Sequence, residues 1–314
     1  MPKSDAVFVG LTILDIEGRP VTAIPDGGGV TFIDEIRLSP AGAAAEAVMN
    51  AAKLGISTAA VACAGIDEKG DFILDVYRQL GIDCRMIQRT ETSPTSATIL
   101  PIRPNGERPA FHCRGASDRF FVVEQDFDAI CDARFLHDGG TGLLAAMDQG
   151  QSTKLLRDVK KKGLVTTFDL IAPSDNTLSS LHDLLPSVDD FMPSYEEAAF
   201  LSHRSNPADA AAFFLDFGVS ACIFKMGAQV SYTRTRDGEF QTPAFEVLVS
   251  DVTGRRDSYC GGFIGGLAEG LDLKDACRRG AAVSALAATG LGSDAGVRDR
   301  EQVRAFMETA EPLQ

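Results

Sequence analysis

The most informative part of the sequence is the stretch from Asp251 to Phe263, which reads DVTGRRDSYCGGF. It follows a strand-like segment, Phe245 to Val249, and opens a helix predicted to run towards Gly270. The start of a helix presents unpaired N–H groups and the positive end of a dipole, which favours phosphate binding. Asp257 would lie in the first turn, where a carboxylate is stabilised. The spacing alone leaves open a purely structural role, in which Asp257 only caps the helix.

Outside this stretch, short apolar runs alternate with amphipathic segments, a pattern typical of βαβ units and a mostly parallel sheet. The predicted strands are Ala6 to Leu11, Thr58 to Cys63, Ala133 to His137, Val165 to Asp169, Val188 to Met192 and Ala221 to Lys225. The predicted helices are Ala43 to Leu54, Lys69 to Leu80, Ser152 to Lys162 and Pro207 to Phe217. We therefore expect one α/β domain over residues 1–314, with helices on both faces of the sheet. Ligands of such sheets bind beyond the carboxyl ends of the strands.

Two stretches break this rhythm and predict a small β lid, near residues 17–40 and 95–114. The second reads as two alternating strands around Pro104-Asn105-Gly106-Glu107, in which Asn-Gly is a hairpin signal. Hairpins added to an α/β domain often cover its site. A phosphate loop requires Lys-Ser/Thr after its glycines, and the glycines of Asp26-Gly27-Gly28-Gly29 lack this pair. We expect Gly28 to lie instead in a lid turn near the substrate.

The composition is that of an ordinary globular protein, with 45% apolar and 24% charged residues. The formal net charge is -14, which makes a nucleic-acid partner unfavourable. No apolar run approaches the ~20 residues of a membrane helix, and the N-terminus lacks the pattern of a signal peptide. The seven cysteines are irregularly spaced, with no CxxC pair, so neither a disulfide framework nor a zinc site is indicated. We expect a cytoplasmic protein that binds neither nucleic acid nor membrane.

The stretch at 251–263 resembles the C-terminal signature of PfkB/ribokinase-type carbohydrate kinases, whose usual form is D-T-x-G-A-G-D-x-F-x-x-G-F. The resemblance extends over nearly the whole chain, because further segments match the family in order. These are Asp15 after the first strand, Pro40 to Ala45 as the Gly-rich entry to a helix, Gly65 to Gly70 as G-x-D-x-x-G, Ser194 to Glu197 in place of N-x-x-E, and Lys225 to Ala228. Each match is weak, but their order and spacing together are specific. The resemblance implies a ribokinase-like three-layer sandwich with a β lid, and transfer of a phosphoryl group from ATP to a sugar alcohol.

The family's roles carry over to the matching positions. Asp257 would be the general base for the sugar hydroxyl, and the amides from Gly254 through Arg255 and Arg256 would form an anion hole. The implied substrate contacts are Asp15, Gly42 and Glu46, to which the lid adds Gly28 and Arg114, although Arg114 could equally face solvent. The implied nucleotide contacts are Lys225, Gly227, Ser194 and Ser284. Glu197 and Asp169 are implied for Mg²⁺, and some relatives bind a monovalent cation such as K⁺ near Asp251 and Ser293.

Three positions depart from the family pattern. Arg255-Arg256 replaces the Ala-Gly of the anion hole, so two guanidinium groups could bind the phosphates, pair with Asp257 or block the pocket. We expect slower turnover than in the relatives, since losing one preorganised donor typically costs ~10²–10³ in rate. Glu46 stands where many relatives have Asn, and a carboxylate there accepts hydrogen bonds from a polyol but repels a sugar acid. Ser194 replaces the Asn of N-x-x-E and removes an amide.

Two alternatives remain beside a sugar kinase. One is a nucleoside kinase on the same fold, and the other is a catalytically impaired sugar- or nucleotide-binding protein, which Arg255-Arg256 would explain. A Rossmann-type oxidoreductase is disfavoured because no G-x-G-x-x-G follows the first strand. Lid strands of the family often pair between subunits, so a homodimer through the lid is also expected.

Overall fold

The computed structural model describes residues 4–227, 230–293 and 295–313; Ala228, the last residue of the family-like segment after Lys225, lies outside them. In chain order the strands are β1 Ala6–Gly10, β2 Ile13–Arg19, β3 Glu35–Ala41, β4 Thr58–Gly65, β5 Asp83–Thr90, β6 Ala97–Pro101, β7 Phe111–Cys113, β8 Phe135–Thr141, β9 Val165–Leu170, β10 Asp190–Phe191, β11 Ala221–Met226, β12 Val230–Thr235 and β13 Glu239–Pro243. The helices are α1 Ala43–Lys53, α2 Glu68–Gln79, α3 Phe127–Cys131, α4 Gln151–Lys161, α5 Thr177–Leu184, α6 Tyr195–Ser202, α7 Pro207–Leu215, α8 Arg255–Ala268, α9 Leu273–Ala287 and α10 Arg300–Thr309.

The larger of two sheets has nine strands in the order β13-β12-β11-β10-β9-β8-β1-β4-β5. The run from β11 to β5 is parallel, and β12 and β13 add an antiparallel edge. All five residues of β1 are buried, as expected for a strand covered on both faces. Val7 and Val9 pack in a core with α4 and α7, whereas Ala6 and Phe8 pack on the opposite face with α1, α8 and α9. The predicted α/β fold with a mostly parallel sheet is confirmed.

Helices α1 and α8 pack closely, which fixes the position of the Asp251–Phe263 stretch. A Cβ at Gly261 would lie 2.4 Å from the carbonyl oxygen of Ala47, so no other residue fits without displacing backbone. Asn50 Nδ2 on α1 donates a hydrogen bond to Ser258 Oγ on α8, at 3.0 Å. The start of α8 is thereby held against α1.

The second sheet is the lid, with strands in the order β3-β2-β6-β7. Its side chains alternate between two faces, as the pleat of a strand requires. The polar face carries Asp15, Glu17, Ser39, Thr98 and His112, and the opposite face carries Ile16, Leu38, Ile99 and Phe111 in register. Asp15 and Glu17 are buried, whereas Ile99 and Phe111 are 53% and 59% exposed. The lid therefore turns its carboxylates inward and an apolar row outward.

Some predicted boundaries are wrong. Phe245 to Val249 is not a strand, since Phe245 makes only an isolated bridge to Pro312. The preceding strand β13 ends at Pro243, and proline has no N–H with which to extend a ladder. Only Asp190–Phe191 of the predicted strand Val188 to Met192 pairs, and β8 begins at Phe135 and continues to Thr141.

In the described part of the chain, no helix has the length and apolarity to span a membrane.

Candidate active site

The start of α8 is shaped by Gly254, its N-cap residue. Gly254 has φ +72°, in the left-handed region that favours glycine. A Cβ there would lie 2.6 Å from Glu46 Oε2 and 2.9 Å from Ser293 Cα, so the turn is closely packed on α1. The amides that follow have no partner within the helix, and Asp257 lies in the first turn, partly exposed. The predicted anion-binding geometry and the carboxylate thus occur together.

Asp251 organises the loop that leads into this turn. One carboxylate oxygen accepts hydrogen bonds from the N–H of Thr253 at 3.0 Å and from its Oγ1 at 2.8 Å. The other accepts from the N–H of Gly292 at 3.2 Å. The buried Asp251 carboxylate therefore braces the loop, and its oxygens are already hydrogen-bonded.

On the lid side, Asp15 and Glu46 approach the start of α8 from two elements. Glu46, on α1, is 3% exposed, and its Oε1 accepts a long hydrogen bond, 3.4 Å, from the N–H of Gly42. Burial raises the pKa of Glu46 well above its usual range, and the charges of Asp257 and Asp15 raise it further. Burial likewise raises the pKa of Asp15 to about 6, although Thr98 and Arg108 oppose this rise. The predicted substrate residues Asp15, Gly42 and Glu46 therefore come together near Asp257.

Behind the helix start lies a buried ion pair between strand ends β11 and β9. Lys225 Nζ donates to Asp169 Oδ2, and both side chains are at most 5% exposed. Asp169 Oδ1 accepts from the N–H of Leu170 at 2.9 Å, so both of its oxygens are engaged. Burial opposes the charge of Lys225, but Asp169 outweighs it and raises the pKa of Lys225. Asp169 is therefore held in an ion pair and is not open to a metal in this structure.

A cleft of about 600 Å³ opens beside the helix start. Four of the seven residues expected to contact nucleotide or metal line it, namely Ser194, Glu197, Gly227 and Ser284, together with Arg255 and Arg256 of the expected anion hole. Lys225, Asp169 and Asp251 are not among its lining residues. The buried Nε of Arg255 has no hydrogen-bond partner. Burial lowers the pKa of the Arg255 guanidinium. Guanidinium groups and free amides at one cleft form a site for a polyanion.

Ser194 and Glu197 form a capping box at the start of α6. Glu197 N–H donates to Ser194 Oγ at 3.2 Å, and Glu197 Oε2 accepts from Ser194 N–H at 2.9 Å. The S-x-x-E spacing could have predicted this cap from sequence. Burial and the Asp169 charge raise the pKa of Glu197, while Arg256 opposes this. Within residues 4–227, 230–293 and 295–313, no group of three or more His, Cys, Asp or Glu could hold a metal ion, so Mg²⁺ would have to take its other ligands from phosphate and water.

Arg108 is a site residue that the sequence did not single out. It lies in the loop between β6 and β7, and its Nη1 donates to Thr253 Oγ1 at 3.1 Å. Its side chain also lines the cleft. A second link joins Arg19 Nη1 to Ser250 Oγ at 2.7 Å, beside a cavity of about 870 Å³ between the lid and this loop. The sequence signal for Arg108 was only a cation directly after the predicted turn Pro104 to Glu107.

Two predicted residues do not join the site. Gly28 lies in an exposed turn, where an added Cβ would meet no atom within 4 Å. Arg114 is paired on the surface, with its Nη1 3.2 Å from Asp118 Oδ1 and 57% of its side chain exposed.

Comparisons with known proteins support the fold described above. A family model described as pfkB family carbohydrate kinase matches residues 3–300. The chain is 26% identical over 316 residues to the 2-dehydro-3-deoxygluconokinase of Bacillus subtilis, with 97% of this chain and 96% of that protein covered. A protein described as ribokinase II from E. coli, in complex with ATP and Mg²⁺, has a TM-score of 0.85 at 24% identity, covering 97% and 99% of the two chains. The Arabidopsis thaliana ribokinase complexed with ribose and ATP has a TM-score of 0.83 at 20% identity, covering 97% and 99%. The ribokinase-like fold is confirmed.

Proposed function

Because the chain belongs to the PfkB family of carbohydrate kinases, we propose that it transfers the γ-phosphoryl group of ATP to a hydroxyl of a sugar or sugar-like alcohol, with Asp257 as general base. The observation that carries the proposal is the position of Asp257 between two unlike surroundings. Arg255 and Arg256 line the cleft on one side, and the buried carboxylates of Asp15 and Glu46 lie on the other. Phosphates suit the side lined by the two arginines, and sugar hydroxyls suit the side lined by the two carboxylates.

The reaction needs a proton acceptor and charge stabilisation. Asp257 accepts the proton of the acceptor hydroxyl while the hydroxyl oxygen bonds to the γ-phosphorus and the bond from that phosphorus to the departing ADP breaks; the base is needed because a neutral alcohol is a poor nucleophile. The amides at the start of α8 stabilise the charge on the phosphoryl oxygens in the transition state, and the unpaired Nε of Arg255 adds a donor for the phosphates of bound ATP. The Lys225–Asp169 pair is buried behind the start of α8, and Gly227 and Ser284 line the nucleotide cleft.

Two carboxylates, Glu196 and Glu197, line the cleft, and Glu197 is the one expected to hold Mg²⁺. Glu197 lines the cleft and would hold the hydrated ion, which when bound neutralises phosphate charge. The E. coli protein of the same fold is in complex with ATP and Mg²⁺, which supports Mg²⁺ as the ion but does not assign its ligand here. A monovalent cation near Asp251 and Ser293 stays a prediction.

We also propose that two copies associate through the outer face of the lid. Leu38, Ile99 and Phe111 form an exposed apolar row across three strands. Apolar patches on a sheet face are typical of interfaces.

A cytoplasmic location remains a prediction from the cysteine pattern.

The proposed function is tested by measuring ADP release with Mg²⁺ over pentoses, hexoses, keto-sugars and nucleosides. Acceptor-dependent ADP release with a sugar or polyol supports it. A clear preference for nucleosides would favour the nucleoside-kinase alternative. Tight sugar or ATP binding by calorimetry, with no product formed from any acceptor, would instead identify an impaired binding protein.

A further inference from the structure

Three buried carboxylate oxygens at the acceptor end of the site lack hydrogen-bond partners. They are Asp15 Oδ1, Glu17 Oε1 and Glu46 Oε2, each on a residue at most 5% exposed. Asp15 and Glu17 come from the inner face of the lid and Glu46 from α1. Glu46 Oε2 is also the atom nearest to the position of a Cβ on Gly254, so it faces the turn that precedes Asp257.

Unpaired buried acceptors define what can bind beside them. Burial and the neighbouring acids raise the pKa of all three residues, so each carboxyl group is costly to ionise unless a donor reaches its free oxygen. A hydroxyl or an ammonium group would donate to it and remove that cost. A ligand carboxylate has no proton to give near neutral pH and would add another negative charge.

The surrounding charges do not reverse this preference. Asp257 and Asp15 both act on Glu46, and Asp251 acts on Asp15 and Glu17. Arg108 partly offsets the charge at Asp15, but its guanidinium donates to Thr253 and lines the phosphate cleft. Arg37 partly offsets Glu17 from the neighbouring lid strand. Negative groups therefore predominate around Glu46.

Building on the proposed function, we infer that the acceptor is an uncharged or amine-bearing sugar or polyol, and that Glu46 is the residue that excludes sugar acids. The chain would then differ in substrate class from its relative the 2-dehydro-3-deoxygluconokinase, whose name denotes a sugar acid as acceptor. Glu46 acts here on specificity, since Asp257 takes the proton.

The test compares three matched classes of acceptor on the wild type and on Glu46→Gln. The probes are neutral sugars (ribose, fructose, glucose), amino sugars (glucosamine, galactosamine) and sugar acids (gluconate, glucuronate, 2-dehydro-3-deoxygluconate). Binding is measured by calorimetry in the presence of a non-hydrolysable ATP analogue and Mg²⁺, and turnover by ADP release. Glu301→Gln is the control, because it makes the same exchange at an exposed position on α10.

We expect a neutral or amino sugar to bind best to the wild type, and sugar acids to bind at least tenfold more weakly. Glu46→Gln should reduce that discrimination at least tenfold, and Glu301→Gln should leave it unchanged. Tightest binding of a sugar acid, no binding of any probe, or an unchanged ratio in Glu46→Gln would overturn the inference. Binding with the expected selectivity but no ADP release would refute the proposed kinase activity and leave the selectivity of Glu46 standing.

Discussion

Arg256 Nη1 lies 3.5 Å from Glu197 Oε1. This pair joins a residue of the anion-hole turn to the carboxylate expected to hold hydrated Mg²⁺. A guanidinium in this position would compete with a bound Mg²⁺ ion for Glu197, and Arg255 beside it adds bulk where the family has a small residue. The geometry gives a physical reason for the slow turnover expected from the sequence.

We predict that the double substitution Arg255→Ala and Arg256→Gly raises kcat by about tenfold or more. For scale, one anion-hole donor typically contributes a factor of ~10²–10³ to the rate. It frees Glu197 and lets phosphate approach the amides. The same change removes two cations, so KM for ATP should also rise. Steady-state kinetics with varied ATP separate the two effects. A kcat equal to or below that of the wild type would contradict this account of the two arginines.

Arg108→Ala should lower kcat/KM for the acceptor by about tenfold to a hundredfold, the effect of losing one charge-assisted hydrogen bond of ~1.5–3 kcal/mol. The substitution removes the link from the lid to Thr253. Arg103→Ala is the matched control in the same loop, since Arg103 pairs only on the surface with Glu107. Equal kinetics for the two variants would show that Arg108 does not hold the lid over the site.

The protein without ligand should lose stability as pH rises. Burial raises the pKa of Glu17 to about 8, with Asp15 adding to the rise, whereas the unfolded chain ionises near its usual value of 4.5. The folded state therefore holds a proton that the unfolded state releases, and stability falls from about pH 4.5 to about pH 8. Thermal unfolding across this range should show a smaller decline for Glu17→Gln, and a midpoint a few degrees above that of the wild type near the alkaline end.

The exposed residue Glu91 provides the control for this experiment, because Glu91→Gln should follow the wild-type curve. If the Glu17→Gln curve also follows the wild type, ionisation of Glu17 does not destabilise the folded protein, and the prediction is contradicted.

The outer face of the lid is predicted to join two copies of the chain. Ile99→Glu should convert a dimer to a monomer in light scattering, because it introduces a charge into the apolar row. Ile66 is similarly exposed, at 59%, but lies outside the lid, so Ile66→Glu should leave the dimer intact. A wild-type protein that is monomeric at high concentration would refute this interface.

Local features of the sequence were sufficient to predict the start of α8. Gly254 and Asp257 are close in sequence, and their geometry depends on one turn. The same holds for α1 and for the Asn-Gly hairpin. The prediction of a strand at Phe245 to Val249 was wrong. These β-prone residues follow the edge strand that ends at Pro243, and tertiary context decided their structure.

Contacts between distant segments could not be predicted from the sequence. Arg108 and Thr253 are 145 residues apart, and neither carries a local signal for the other. Asp169 and Lys225 were both expected near the strand ends, but their ion pair follows from adjacent positions at the sheet edge. Gly28 and Arg114 were assigned from their place in the lid alone, and their exposure depends on loops of 15 residues or so whose course periodicity does not fix.

The central claim is that Asp257 takes the proton of the acceptor hydroxyl. It is tested most directly by single-turnover phosphoryl transfer in Asp257→Asn, with ATP, Mg²⁺ and the best acceptor of the screen, alongside Asp237→Asn at an exposed turn. The account predicts a loss of about 10²–10⁴ in the rate of transfer for Asp257→Asn, with ATP affinity nearly unchanged and Asp237→Asn like the wild type. A rate for Asp257→Asn within about threefold of the wild type would contradict the claim, because general-base catalysis of this size cannot be removed without effect.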